Sequence, residues 1–156
     1  MSQDKKVRIE SDLLGSREIP GDALYGVQTL RGVENFPISH FHLNEYPLFI
    51  KGLAITKMGA AAANHELGLL SDELYNAIMQ ACDEVAEGKH DKEFPVDMIQ
   101  GGAGTTTNMN ANEVIANRAL QIMGYECGDF KHCSPNDDVN CSQSTNDAYP
   151  TAAHIG

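Results

Sequence analysis

A chain of 156 residues is long enough to bury one core and too short for two domains of ordinary size. Its 22 Asp and Glu against 11 Lys and Arg give a formal net charge of -11, which repels phosphate backbones and anionic lipid, so nucleic acid and membrane surfaces are excluded as partners. With 42% apolar and 21% charged residues the composition is that of a soluble globular protein, and no apolar run approaches the roughly 20 residues of a membrane span.

The opening residues Met1 to Asp12 contain no apolar stretch of the signal-peptide kind, and the expected location is the cytoplasm. The four cysteines, Cys82, Cys127, Cys133 and Cys141, form no C-x-x-C pair and are expected to be free thiols there. Val7-Arg8-Ile9-Glu10 alternates apolar with polar, Gly15 follows, and then Glu18-Ile19-Pro20-Gly21. This predicts two short extended pieces around a turn, a small β-hairpin. From Pro47, apolar residues recur at helical spacing through Leu53, Met58, Ala62 and Leu67 until Gly68, which predicts a long and mostly buried helix.

Ser71 caps a second helix, with Asp72 and Glu73 beside its positive end and Leu74, Ile78, Cys82 and Val85 as one apolar stripe; Gly88 ends it. A third helix is expected from about Asn110 to Met123, directly after a glycine-rich loop, with Gly124 just past its end. Turn formers between Gly124 and Gln143 predict a loop of about 20 residues, long enough to suspect function. Ser144-Thr145-Asn146-Asp147 reads as the N-terminus of a last helix, in which Pro150 is acceptable only within the first turn. Gly156 comes about three turns into that helix with no polar terminator, the look of a severed helix.

Two segments can carry chemistry. The first runs from Gln100-Gly101-Gly102-Ala103-Gly104 through Thr105-Thr106-Thr107 to Asn112-Glu113. Its glycines let a backbone approach a ligand, the helix start behind them offers unpaired N–H groups to an anion, and the threonine hydroxyls add neutral donors. It lacks the lysine of a triphosphate loop and the strand-linked G-x-G-x-x-G pattern. Composition alone favours the plainer reading, a tight turn with Asn108, Asn110 and Asn112 capping the helix. The second segment, Ser134-Pro135-Asn136-Asp137-Asp138 to Ser144-Thr145-Asn146-Asp147, is again a polar loop entering a helix, and here a plain N-cap is the competing interpretation.

Together these segments resemble the aspartase/fumarase superfamily, and the resemblance covers nearly the whole chain. Tyr25-Gly26-Val27-Gln28-Thr29-Leu30-Arg31, Glu34-Asn35-Phe36-Pro37-Ile38 and Phe94-Pro95-Val96-Asp97 are similar to the family's N-terminal region in order and spacing. The resemblance implies a mainly α fold: a helical N-terminal domain with a small β-hairpin near the N-terminus over residues 1–142, and the start of a central helical bundle over 143–156. It implies a homotetramer whose active sites gather loops from three subunits, a dicarboxylate substrate, and no nicotinamide, flavin or pyridoxal cofactor; the irregular spacing of Cys127, His132, Cys133 and Cys141 separately makes a metal site a poor expectation.

By the same resemblance Thr105, Ser144 and Thr145 hold the carboxylate beside the acidic carbon, and Asn146 lies near the departing amino group. Ala103 and Thr145 look like the versions that act on L-aspartate to give fumarate and ammonia, whereas class II fumarases tend to carry serine at both places. Hydration of fumarate is therefore the second expectation, and a non-catalytic helical module that binds an anion is the third. The family's base is a serine on a mobile glycine-rich loop much further along the chain. These 156 residues hold no counterpart of it, so no residue here is expected to be the base, and the six histidines, all outside the two motifs, are not expected to be catalytic.

Overall fold

The computed structural model describes residues 7–156; residues 1–6, the first half of the stretch read as free of a signal segment, lie outside the described part. The alternation at the start of that part forms the antiparallel hairpin of β1 (Val7–Asp12) and β2 (Gly15–Pro20), with Val7 opposite Pro20 and Asp12 opposite Gly15. The tight Leu13-Leu14 turn is closed by Gly15 at φ 110°, a left-handed conformation that suits glycine. Glu10 and Ile19 are the buried residues of the hairpin, and Ile19 packs with Ala23 and Val27 in a small apolar cluster of its own.

Helix α1 (Val27–Asn35) is an element the sequence patterning did not predict, and its capping explains why. Gly26 at its N-cap brings no side chain, and its first turn has no acidic residue. Instead the buried carboxylate of Glu113 accepts from the N–H groups of Gly26, Gln28 and Thr29 at 2.8–3.0 Å and from the Thr29 hydroxyl at 2.6 Å, while Glu10 accepts from Val27 N–H at 2.9 Å. The cap comes from a residue 84 positions away from Thr29, beyond any local pattern.

Helix α2 (Pro47–Glu66) starts with Pro47 in its first turn and ends ahead of Gly68 at φ 72°, close to its predicted span. Helix α3 (Asp72–Ala86) is capped by Ser71, whose Oγ accepts from Leu74 N–H at 3.3 Å, and Gly88 at φ 78° lies just beyond its end. Ile50, Leu53 and Ala54 of α2 and Ile78, Ala81, Cys82 and Val85 of α3 share one core with Val114, Ile115, Ala119 and Leu120 of α4 (Thr105–Ile122). Helix α4 begins at Thr105, ahead of the expected Asn110. Threonine and asparagine are indifferent helix formers, so local propensity put the start too late, and tertiary bonds to these side chains override it.

The segment from Gly124 to Gln143 is the loop of about 20 residues that its turn formers predicted, made of turns and one short wound piece. Pro135–Val139 winds into a single wide turn of π type, capped by Ser134 Oγ accepting from Asp137 N–H at 3.1 Å, and Tyr125 stacks on His132 at 3.9 Å. Helix α5 (Thr145–Ile155) is capped by Ser144 as expected, Oγ accepting from Asn146 N–H at 3.2 Å. Pro150 stands in its second turn, beyond the position the sequence rule allowed, which leaves the Asn146 carbonyl without its i+4 donor. Ala148 and Ala152 face inward, and Gly52 of α2 gives room for the Ala152 carbonyl, so the two helices touch backbone to backbone. All four cysteines are free thiols; burial pushes Cys82 and Cys133 up to about 12, so these two are inert at neutral pH.

Candidate active site

Asp97 sets the stage for the glycine-rich loop. Its buried carboxylate accepts from the N–H groups of Ile38, Ser39, His40 and Ile99 at 2.7–3.1 Å and from the Ser39 hydroxyl at 2.6 Å. Burial alone would raise its pKa, but these bonds to the charged form outweigh it and hold the carboxyl well below the usual range. The chain leaves this anchor into Gln100, whose side-chain oxygen accepts from Thr107 N–H at 2.8 Å and whose amide donates to Thr107 Oγ1 at 2.6 Å.

That bridge sorts the three threonines. Thr107 is buried, its hydroxyl oxygen accepting from Gln100, and the Thr106 methyl lies against Gly32 of α1. Thr105 is the exposed one, first residue of α4, behind Gly102 and Gly104 at φ 76° and 89°. Gly104 is required twice over: its φ is left-handed, and a Cβ there would collide with the ring of Tyr149 on α5. The asparagines do not cap their own helix. Asn110 donates to the Glu93 carbonyl at 2.9 Å, and Asn108 and Asn112 reach Asn140 at 3.0 and 3.1 Å.

The two helix starts therefore meet. Asn108 donates to Thr145 Oγ1 at 3.2 Å, and Asn146 lines a cavity of about 480 Å³ together with Gln100, Gly102, Gly104 and Tyr149. Of the four predicted residues, Asn146 faces this cavity, Thr145 is half-buried beside Asn108, and Ser144 and Thr105 stand exposed at the two helix starts. Both Ser144 and Thr145 already accept through oxygen, so each keeps its O–H to donate.

Lys57 is the functional candidate that sequence reasoning missed. It is 1% exposed, and its Nζ donates to Asn108 Oδ1 at 2.8 Å, Asn140 Oδ1 at 3.0 Å and Gln143 Oε1 at 2.8 Å, bonding both segments at once. A signal was present: Lys57 falls on the inward stripe of α2 between Leu53 and Ala61, where a cation is out of place. Burial pushes its pKa down to about 7, while three acceptors matching the three N–H bonds of an ammonium favour the charged form. An anion lying across the two helix starts would thus meet hydroxyls, helix-end N–H groups and a nearby buried ammonium.

Two of the six histidines are engaged elsewhere: His65 lies 2.7 Å from Asp72 and stacks on Tyr75, and His90 pairs with Glu84 at 2.9 Å.

A family model described as lyase matches residues 15–156. The chain belongs to this lyase family. Among its curated relatives, an aspartate ammonia-lyase of a Bacillus species is 60% identical over 149 residues, 96% of this chain and 31% of the relative. One from Pseudomonas fluorescens is 54% identical over 156 residues, 100% of this chain and 33% of the relative. The lyase-family chain thus spans about a third of the length of the curated relatives it matches. A crystal structure titled fumarate lyase:delta crystallin from Brucella melitensis superposes with a TM-score of 0.92 at 54% identity, covering 94% of this chain and 34% of the other. A class II fumarase from Schistosoma mansoni gives 0.87 at 41%, covering 94% and 31%. The mainly α fold and the superfamily expected from the two motifs are both met, and one fold spans lyase-family members that bear different names, so fold alone does not select the substrate.

Proposed function

We propose that this chain is the N-terminal third of an aspartate ammonia-lyase, which converts L-aspartate to fumarate and ammonia. The chemical difficulty is removal of a proton from the carbon beside a carboxylate, because the resulting carbanion is tolerable only when its charge spreads onto the carboxylate oxygens as an aci-carboxylate. Catalysis then depends on donors aimed at those oxygens before the charge appears. Thr105, Ser144 and Thr145 are assigned that role, and Asn146, on the cavity wall, that of holding the departing amino group. The base is assigned to a later part of the full-length protein, so the 156 residues alone are inactive.

Support comes from one observation above the others: Asn108, one turn into α4, is bonded to Thr145, the first residue of α5, so two donor-rich helix starts lie side by side, the arrangement that binding of a single anion by both would require. The names of the relatives at 60% and 54% identity favour aspartate over malate. We assign residues 1–142 to an N-terminal lyase domain and 143–156 to the first turns of a bundle that assembles as a homotetramer. The test is to supply the full-length protein with aspartate or malate and follow fumarate by its ultraviolet absorbance. Fumarate from aspartate is expected; fumarate from malate alone would make the protein a hydratase, and none from either would refute the proposal.

A further inference from the structure

An amide side chain presents an acceptor oxygen on one side and a donor NH2 on the other, and its neighbours decide which way it faces. At Asn108 the oxygen faces Lys57 Nζ at 2.8 Å, which turns the NH2 to Thr145 Oγ1 at 3.2 Å and Asn140 Oδ1 at 3.0 Å. An ammonium cannot accept, so the reversed amide would set donors against donors at Lys57 and an oxygen against Thr145. Asn140 is locked in the same sense: its oxygen accepts from Lys57, Asn108 and Asn112, and its NH2 donates to the Gln143 carbonyl at 3.2 Å. The Thr145 oxygen accepts from Asn108, and among the described residues its hydroxyl proton meets no acceptor, so that proton is left to donate outward.

We propose, on the aspartase reading, that Lys57 is a positioning residue which acts through Asn108 to fix the Thr145 hydroxyl as a donor toward the substrate carboxylate. Lys57 and Asn108 are each 1% exposed, so neither needs to touch substrate. With the relay reversed, Thr145 donates into the protein, and the oxyanion forming beside the acidic carbon loses a preorganised partner.

Two variants of the full-length enzyme separate this polarity from simple packing. Lys57→Met keeps the length and apolar stem and removes the ammonium, which leaves the Asn108 and Gln143 side-chain oxygens without their donor, so some loss of Tm is expected. In the folded variant kcat is expected to fall about 100-fold, the usual cost of one oxyanion donor, with KM changed far less. Asn108→Asp is nearly isosteric and gives Lys57 a carboxylate, yet it removes the NH2, so Thr145 must donate to the new carboxylate instead of to substrate. A similar fall in kcat with Tm retained is expected, whereas a purely structural Lys57 would leave this variant active. Retained kcat in either folded variant overturns the proposal, and if Lys57→Met does not fold, Asn108→Asp decides. Should the unaltered enzyme act on malate and not on aspartate, the substrate assignment fails while both variants are still read on malate.

Discussion

Glu113 shows how a single side chain can carry an element. Its carboxylate is 1% exposed and accepts four hydrogen bonds from the start of α1, replacing the local cap that Gly26 does not supply. Glu113→Ala strands three backbone N–H groups and a hydroxyl in the interior. It is expected to cost about 3 kcal/mol or more in urea unfolding, and a loss within experimental error would show that α1 is capped by other means. Glu84 contributes through its charge instead. Arg118 grips it at 2.5 and 2.9 Å and His90 adds 2.9 Å, and these partners, Arg118 foremost, pull its pKa down to about 2. The folded value lies below the ordinary 4.5, so the stability this group contributes is present above that pH and is lost as pH falls through about 2. Unfolding curves should therefore show the gap between the native protein and Glu84→Gln closing as the solution is acidified through that window; a pH-independent gap would contradict the assignment.

At the scale of elements, legibility in the sequence depends on whether the forces that shape an element act locally. Helices α2 and α3 are readable because Pro47, Ser71, Gly68 and Gly88 punctuate them and their apolar stripes are regular. Helix α1 is invisible because its cap is distant, and the start of α4 is misplaced because its threonines and asparagines are held by Gln100, Asn140 and Glu93. The candidate site divides in the same way. Thr105 and Ser144-Thr145-Asn146 are legible as motifs at helix starts, but Lys57 is hidden because the partners that make a buried lysine tolerable come from other elements. The α4–α5 junction is also where backbone room matters. Gly104→Ala combines a left-handed φ with a collision at Tyr149, so a stability loss of about 1–3 kcal/mol is expected together with impaired turnover in the full-length enzyme. Unchanged Tm and kcat would mean that the loop is free to reshape.

For the whole molecule, the acidic surface and the donor-rich site are compatible because they act over different ranges: solvent screens distant carboxylates, whereas hydroxyls and helix-end N–H groups act at contact. Residues from α2, α4, α5 and the segment before α5 converge on one region, and the central claim is that two of these helix starts hold a single dicarboxylate. The most direct measurement is kcat/KM for aspartate in the full-length protein carrying Thr105→Ala, Ser144→Ala or both. Each single change is expected to cost about 100-fold, and the pair less than the product of the two, because both side chains would grip one carboxylate. A single variant that turns over aspartate at the rate of the unaltered enzyme would contradict the account.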